Sequence, residues 1–203
     1  MGENKRRMLA GDWFLPDDPE LAADTLRRAE LCAQYNAPGP LAPERRDAIL
    51  RELLGSMGDG VRIRPPFHCD FGGHIRIGAG TFVNFGAVFL DTAPIVIGAD
   101  AQIGPNVQLL TPTHALDPRL RRAGWERGLP VTLGDNVWLG GGTIVCPGVT
   151  IGADSVVGAG SVVVKNLPSG VLAVGNPARV VRTLGPAESG PGRPERGESG
   201  PGV

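Results

Sequence analysis

The chain contains three histidines, and His114 is the one best placed for acid–base chemistry. It lies in the polar stretch TPTHALDP. An imidazole has a reference pKa of about 6.5, so part of it is unprotonated at neutral pH and could accept a proton from a hydroxyl group. The alternative for a single histidine in a loop is a turn residue with no chemical role.

Three further polar residues lie where apolar segments end. Asp91, in LDTAP, could bind a hydroxyl group, orient its neighbours or be an ordinary turn residue. Asn84 could face a ligand or occupy a corner, because Asn tolerates unusual backbone angles. Glu126, in GWERGLP, either pairs with and orients His114 or is a solvated loop carboxylate.

Metal binding is not expected from the histidines and cysteines. His68, His74 and His114 include no close pair, whereas a zinc site built on histidines needs about three of them. The cysteines are odd in number and widely spaced, so they predict neither a disulfide framework nor a metal site. They are Cys32, Cys69 and Cys146.

A six-residue repeat positions these candidates. Its aliphatic or aromatic residues are Ile77, Val83, Phe89, Ile97, Ile103, Leu109, Leu133, Leu139, Val145, Ile151, Val157 and Val163. Each unit is short enough for one strand and one corner, with one apolar side chain pointing inward. Stacked coils bury a continuous column that a single repeat could not bury. The repeat therefore predicts a mainly β protein, a parallel β-helix over residues 58–184.

Two irregular steps interrupt the repeat. The step from Phe89 to Ile97 is eight residues, which predicts a bulge at LDTAP. The step from Leu109 to Leu133 is 24 residues, a multiple of six, so the register resumes after an excursion. Long loops on rigid scaffolds are commonly functional, and we expect residues 111–131 to protrude and to carry the chemistry.

The segments on either side of the repeat differ from it. Residues 1–57 are predicted to be helical and to cap the open end of the β-helix, with Asp18 capping a first helix. Its apolar stripe is expected to be Leu21, Ala22, Leu26, Ala29 and Ala33. A second helix begins at Pro43. Residues 185–203 are rich in Gly and Pro and are expected to be disordered.

Composition limits the class of protein. With 203 residues, 41% of them hydrophobic, the chain can bury one sizeable core. A formal net charge of −1 gives no general attraction to nucleic acid or to an anionic membrane. No apolar run could span a bilayer or form a signal peptide, so a cytoplasmic location is expected.

Several motifs together resemble one enzyme family. They are MLAGDWF, CDFGGHIRIG, VNFG, LDTAPIVIG, TPTHALDP, LGDNVWLGGG, PGVTIG and VGNPARVV, in that order over about residues 5 to 183. In this order they resemble the maltose, galactoside and nodulation-factor O-acetyltransferases. The resemblance implies a left-handed β-helix, a homotrimer with active sites between subunits, and acetyl transfer from acetyl-CoA to a sugar-like hydroxyl without a metal.

The resemblance also implies roles for residues on the acceptor side. His114 is the expected general base, and Glu126 is expected to pair with it or orient it. No Ser or Cys stands beside His114 in the chain, so direct attack of the hydroxyl on the thioester is expected. Asn84 faces the reaction centre. The remaining acceptor-binding candidates are Asp17, Asp70 and Asp91, while His68 either influences acceptor choice or is simply exposed.

On the donor side, the resemblance implies a groove between two coils that holds the coenzyme. Its residues are Asn84, Trp138, Gly141, Ala159, Lys165, Arg179 and Arg182. Small residues let a pantetheine arm lie against the backbone, and the arginines suit phosphate groups through their planar forks. The alternatives are solvated surface cations and, for Trp138, packing between subunits. Val164 stands where some relatives have a threonine that contacts the cofactor.

Three other functions remain open at the level of sequence. An acetyltransferase of the same fold could act on an antibiotic, on serine or on a secondary metabolite. A β-helix could also be a non-catalytic scaffold, although the intact loop around His114 argues against it. A zinc-dependent carbonic anhydrase is disfavoured by the histidine count.

Overall fold

The computed structural model describes residues 1–37, 39 and 42–185. The helices are α1 (Glu3–Ala10), α2 (Pro19–Asn36), α3 (Pro43–Leu53) and α4 (Pro118–Arg122). The strands are β1 (Ser56–Met57), β2 (Arg62–Ile63), β3 (Phe67–Cys69), β4 (Ile75–Ile77), β5 (Phe82–Val83), β6 (Ala87–Leu90), β7 (Ile95–Ile97), β8 (Gln102–Ile103), β9 (Gln108–Leu110), β10 (Pro112–His114), β11 (Glu126–Gly128), β12 (Val131–Leu133), β13 (Trp138–Leu139), β14 (Ile144–Val145), β15 (Thr150–Ile151), β16 (Val156–Val157), β17 (Val162–Val163), β18 (Val171–Gly175) and β19 (Ala178–Thr183).

The strands wind into a parallel β-helix with three sheets. The first sheet has the order β1-β4-β7-β12-β15, the second β19-β18-β16-β13-β8-β5-β2, and the third β17-β14-β9-β6-β3. The chain passes through the first, second and third sheets in turn, which makes five coils and the start of a sixth. The predicted parallel β-helix is confirmed.

The repeat residues form three columns inside the coils. Parallel pairing aligns Ile77 with Ile97 and then with Leu133 and Ile151 in the first sheet. The second sheet stacks Val83, Ile103, Leu139 and Val157, and the third stacks Phe89, Leu109, Val145 and Val163. All of these residues are buried. Each coil thus covers the apolar side chains of the next, and the repeat packs as predicted.

Corners between strands bring neighbouring coils very close together. A Cβ atom on Gly104 would lie 2.6 Å from the backbone nitrogen of Gly141 in the next coil. Asn106 lies in the same corner with a positive φ of 57°, a conformation that Asn adopts more readily than most residues. Gly therefore recurs at corners where the next coil leaves no room for a side chain. Asn recurs where the backbone has a positive φ, which is strained for most other residues.

Both ends of the column are covered. Leu31 and Tyr35 of α2 and Leu53 of α3 share one core cluster with the first coil, as predicted for the helical segment. At the other end β19 folds back antiparallel to β18. The helices and β19 thus cover the two ends of the hydrophobic column, while β15 and β17 remain the last strands of the first and third sheets.

The predicted apolar stripe of α2 is wrong except at Leu21. The residues of α2 that are buried are Leu21, Leu31, Cys32 and Tyr35. Leu26 is 64% exposed, and Ala22, Ala29 and Ala33 are exposed as well. The large side chains of Leu31 and Tyr35 bury more apolar area than the alanines, and this decides which face packs on α3 and the first coil.

An additional helix, α1, precedes the two predicted ones and packs beside α2. Lys5 reaches Glu20 at 3.1 Å and Asp24 at 2.7 Å, and Met8 lies in a small core with Phe14 and Leu21. The predicted disorder of the tail concerns residues that, apart from Gly185, lie outside the described part of the chain. Among the described helices, none has the length and apolarity needed to cross a membrane.

Asp18 caps α2, as predicted. Its carboxylate accepts hydrogen bonds from the backbone N–H groups of Glu20 at 2.9 Å and Leu21 at 3.3 Å. We expect Asp18→Ala to lower the free energy of unfolding by about 1 kcal/mol, because these N–H groups lose their partner. Urea denaturation measures the change. The neighbouring Asp17→Ala is the control, and an equal loss there would contradict the capping role.

Candidate functional site

The protruding loop predicted at residues 111–131 is an ordered β-hairpin. Strands β10 and β11 pair antiparallel, with α4 at the tip between them. At its base the hydroxyl of Thr111 is buried, donates to the Leu90 carbonyl at 2.7 Å and accepts from the Ala93 N–H at 2.9 Å. The hairpin is therefore anchored to the coil at the corner that follows the third sheet.

The hairpin places His114 opposite Glu126. The two are direct partners in the antiparallel register, and side chains at such positions extend on the same face. Burial raises the pKa of the Glu126 carboxyl, while His114 and the Thr92 hydroxyl oppose that rise. His114 is exposed and Glu126 half-buried. The arrangement lets a carboxylate act electrostatically on an accessible imidazole.

The N-terminal segment extends this hairpin by one further strand-like contact. Phe14 exchanges two backbone hydrogen bonds with Glu126, at 2.9 and 3.0 Å. The Arg127 side chain donates to the Gly11 carbonyl at 2.7 Å. The MLAGDWF motif therefore holds β11, and with it Glu126, against the body of the protein.

Asp91 is the centre of a buried hydrogen-bond network. Its side chain is 0% exposed and accepts from the backbone N–H groups of Asp70, Phe71 and His74 at 3.1, 2.8 and 3.2 Å. The His74 imidazole Nδ1 also lies 2.6 Å from the Asp91 carbonyl oxygen. Among the predicted roles of Asp91, this geometry favours orienting its neighbours.

The turn that Asp91 holds carries Asp70. Burial raises the pKa of the Asp70 carboxyl to about 6, and the charges of Asp91 and Glu126 add to the rise. The three carboxyl groups thus share one region at the corner after the third sheet. Asp70 is half-buried, so it remains available to hydrogen bond with a ligand hydroxyl.

A cavity of about 600 Å³ opens between α2 and this corner. We call it the helix-side cavity, and its lining residues include Phe14, Pro16, Leu26, Asp70, Phe71, Thr92 and Glu126. The exposed stripe of α2 forms one wall. The structure brings Asp70 and Glu126 together here. It does not bring in Asp17, which is exposed and is not a lining residue, although its neighbour Pro16 is.

The raised pKa of Asp70 predicts a pH-dependent stability difference. A carboxyl whose folded pKa is raised contributes stability that is present below about pH 4 and is lost as the pH rises through about 6. Asp70→Asn removes this loss. We expect its free energy of unfolding, relative to wild type, to increase by about 1 to 2 kcal/mol between about pH 4 and pH 7.

Urea denaturation at the two pH values tests this expectation. The matched control is Asp59→Asn, at an exposed turn. A difference for Asp70→Asn that is as flat with pH as that of the control would contradict the burial of Asp70.

The donor-side residues lie at a different corner, the one after the second sheet. A groove of about 470 Å³ runs along it, which we call the corner groove. Its lining includes Phe82, Asn84, Gln102, Gly104, Pro105, Trp138, Gly140, Gly141, Val156, Gly158 and Ala159. Four of the seven residues predicted for the coenzyme thus meet in one groove. Its floor consists of glycines, alanine and proline, so a slender chain can approach the backbone closely.

Trp138 stands in a row of outward positions across the second sheet. Pairing aligns it with Gln102 on one side and Val156 on the other, and Val156 aligns with Leu172. Arg182 pairs with Leu172 and ends the row. Trp138 is 54% exposed, and Arg182 is exposed. A cation therefore lies on the same sheet as the groove, beyond its end at the fifth coil.

Arg179 and Lys165, which were also predicted to bind the coenzyme, do not line the corner groove. The Arg179 guanidinium is exposed and donates to the Ala178 carbonyl at 2.9 Å. Lys165 is exposed and follows β17, the last strand of the third sheet, so it lies at the corner of Asp91 and the hairpin. One chain therefore does not bring Lys165 and the corner groove together.

The hairpin corner and the corner groove are separated by one side of the β-helix. Asn84 and Asp91 are seven residues apart along that side. At about 3.3 Å per residue, extended chain of this length spans roughly 20 Å. Reacting groups must approach to about 3 to 3.5 Å. The two halves of the candidate site therefore do not meet within one chain.

Sequence reasoning did not select some residues that shape this site. Phe14 and Thr92 line the helix-side cavity, and the His74 imidazole contacts the backbone of Asp91. Phe14 had a signal in the MLAGDWF motif, but its contact with Glu126 joins distant parts of the chain. No group of three or more potential metal ligands occurs in the described residues.

Two family profiles match the chain. The profile described as the maltose acetyltransferase hexapeptide capping motif matches residues 7–58. The profile described as bacterial transferase hexapeptide, six repeats, matches residues 130–165. The first covers the helical segment with the first strand, and the second covers the fourth and fifth coils.

Individual relatives match over most of the chain. Nodulation protein L of Rhizobium meliloti (strain 1021) is 48% identical over 176 residues, which are 87% of this chain and 96% of that protein. The crystal structure of a maltose O-acetyltransferase from Clostridium difficile 630 is 40% identical, has a TM-score of 0.88, and covers 90% of this chain and 98% of its own. A hexapeptide-repeat-containing acetyltransferase from Vibrio cholerae O1 biovar eltor, complexed with acetyl coenzyme A, is 41% identical, with a TM-score of 0.84 and coverage of 91% and 100%.

Proposed function

Because the chain belongs to the hexapeptide-repeat acetyltransferases that include the maltose, galactoside and nodulation-factor enzymes, we propose that it transfers an acetyl group from acetyl-CoA to a hydroxyl of a sugar or sugar-like acceptor. The observation that carries this proposal is the pairing of His114 with Glu126 on an anchored hairpin, in a chain whose other corner forms a groove of small residues.

The corner groove suits the donor. Glycines and Ala159 leave space for a pantetheine arm against the backbone, and Trp138 gives an apolar wall. Arg182 and Arg179 lie beyond the fifth-coil end, where guanidinium groups can hold phosphates by paired charge-assisted hydrogen bonds. A similar chain from Vibrio cholerae is complexed with acetyl coenzyme A, which supports this assignment. Asn84 marks the opposite end of the groove, where the acetyl group would lie.

On the acceptor side, each residue has a distinct role. His114 takes the proton from the attacking hydroxyl, and Glu126 keeps the imidazole oriented and favours its charged form once the proton has moved. Asp70 accepts a hydrogen bond from an acceptor hydroxyl, and Asp17 is a second candidate for this. Asp91 holds the turn that carries Asp70. The hydroxyl oxygen attacks the thioester directly, and CoA leaves as the thiol.

A homotrimer would complete the site. The hairpin of one subunit must reach the corner groove of another, because one chain keeps them roughly 20 Å apart. A contact between two different corners is heterologous, and such contacts form a closed ring when the rotation closes. Three β-helices arranged in parallel around one three-fold axis satisfy this condition and give three equivalent sites. Lys165, which lies on the hairpin corner, would then join the partner's groove.

The function is tested by following thiol release from acetyl-CoA with a panel of acceptors. The panel contains glucose, maltose, a galactoside, glucosamine, serine and chloramphenicol. Release that depends on a sugar supports the proposal. Release only with serine or chloramphenicol would show that the acceptor is not a sugar. Absence of release with every acceptor, together with absence of CoA binding, would identify a non-catalytic scaffold. The cytoplasmic location stays a prediction.

Shared sites are tested by mixing two inactive variants. His114→Ala removes the base, and Ala159→Trp fills the corner groove. If base and groove come from different subunits, random trimers from an equal mixture should recover about a quarter of the wild-type activity. An intact site then needs His114 from an Ala159→Trp subunit and an open groove from a neighbouring His114→Ala subunit. Mixtures without any recovery would show that each site lies within one chain.

A further inference from the structure

A second cavity continues the corner groove at the helical end. Its volume is about 960 Å³, and it lies between α3 and the second sheet. Its lining includes Tyr35, Arg46, Leu50, Arg62, Arg64, Phe82 and Gln102. Phe82 and Gln102 also line the corner groove. We call this space the arginine cavity, and the two spaces share a wall.

Three arginines from two separate elements face this cavity. Arg46 belongs to α3, whereas Arg62 and Arg64 lie on and directly after β2. Within the part of the chain that the structure describes, none of the three forms an ion pair. Among the described residues, the buried Nε atom of Arg46 has no hydrogen-bond partner. A buried donor of this kind is costly unless something binds it.

The surroundings leave the cavity with a positive excess. Two acids also line it, Glu44 and Asp47, and Asp47 already accepts from Arg51 at 2.8 Å. The Arg62 guanidinium lies 5.5 Å from the centre of the Phe82 ring, and the Arg64 guanidinium lies 3.6 Å from that of Phe85. Cation–π contacts of this kind restrain both guanidinium groups, and the exposed Arg62 and Arg64 keep N–H groups accessible to a ligand.

The position of the cavity indicates whether its ligand belongs to the donor or to the acceptor. The corner groove runs from Ala159 in the fifth coil to Asn84 in the second, and Arg182 lies beyond the fifth coil. If the donor phosphates lie at Arg182, the acetyl group lies near Asn84. Arg62 and Arg64 are one coil further, about 4.8 Å along the axis. Whatever fills the arginine cavity therefore lies past the acetyl group, on the acceptor side.

We propose that the arginine cavity binds an anionic group of the acceptor, so that the preferred substrate is a sugar-like molecule carrying a phosphate or a carboxylate away from the acetylated hydroxyl. This inference rests on the proposed function and specifies its substrate class. Guanidinium groups bind both anions through paired hydrogen bonds. The cavity is large enough to hold a sugar unit together with the anion.

Titration calorimetry of the full chain, saturated with CoA, tests the site with three probes. Glucose 1-phosphate and glucuronate carry the two anions, and methyl glucoside is neutral. We expect at least one anionic probe to bind about tenfold or more tightly than methyl glucoside. Arg46→Gln and Arg64→Gln should abolish this preference, whereas Arg76→Gln, an exposed arginine on β4, should keep it. Which of the two anions binds distinguishes phosphate from carboxylate.

Equal binding of the three probes, or the same loss in Arg76→Gln, would overturn the proposal. A weaker affinity for CoA in Arg64→Gln, with the probes unaffected, would overturn it too, because the cavity would then hold donor phosphates. Failure of the proposed function has a different signature. In that case no acceptor would release thiol from acetyl-CoA, even though arginine-dependent binding of the anionic probe persisted.

Discussion

His114→Ala is expected to lower kcat for acetyl transfer by about 10² to 10⁴, the usual contribution of a positioned general base. The imidazole lies on the anchored hairpin opposite Glu126 and is exposed, so an acceptor hydroxyl can reach it. The KM for acetyl-CoA should change little, because the substitution alters none of the residues that line the corner groove. Initial rates of thiol release at varied acetyl-CoA concentration, with the best sugar of the panel held saturating, give both constants.

Two further variants make this result specific. Arg122→Ala alters an exposed residue of α4 in the same hairpin and should keep wild-type turnover. His114→Gln retains a polar side chain but cannot accept and release the proton in the same way, so it should be nearly as slow as His114→Ala. Near-normal turnover in either His114 variant would remove His114 from the mechanism.

Asp91→Ala is expected to lower the free energy of unfolding by about 3 to 5 kcal/mol. The substitution leaves the backbone N–H groups of Asp70, Phe71 and His74 without their acceptor. Each unsatisfied buried donor costs about 1 to 3 kcal/mol, and the losses within one network are not additive. Urea denaturation at neutral pH measures the change, and Asp59→Ala, at an exposed turn, should stay within about 0.5 kcal/mol of wild type.

The same variant has a second readout. The charge of Asp91 helps to raise the pKa of the Asp70 carboxyl, so this pKa should fall from about 6 when Asp91 is replaced by Ala. Carbon-detected NMR titration of the Asp70 carboxyl gives the value. A stable Asp91→Ala protein with an unchanged Asp70 pKa would show that the network does not organise this corner.

The β-helix and its end caps were predictable because their signals are local and repeated. One apolar residue in every six can be buried only when coils stack, so the positions from Ile77 to Val163 predict three internal columns without knowledge of the contacts. Asp18 before Pro19 likewise predicts a helix start from two adjacent residues. The resemblance added the proposed roles of His114 and of the groove residues, which periodicity alone does not give.

The failures of prediction have a common cause, since they concern contacts between distant residues. The buried face of α2 depends on how Tyr35 fits between α3 and the first coil, and the alanine stripe instead lines a cavity. The hairpin within residues 111–131 was expected only as a protruding loop. Its strands pair with each other and with Phe14, more than a hundred residues away in the chain.

The sequence by itself determined the parallel β-helix, the position of its long insertion and the family, because each rests on residue types at fixed short spacings. The tertiary structure decided which polar residues share a site. Only folding brings Asp91 under the turn of Asp70, places Arg46, Arg62 and Arg64 around one cavity, and separates the hairpin from the groove by one side of the β-helix. These arrangements depend on how coils and helices stack. Stacking brings together residues that are far apart in the sequence, and no short-range sequence pattern predicts which of them will meet.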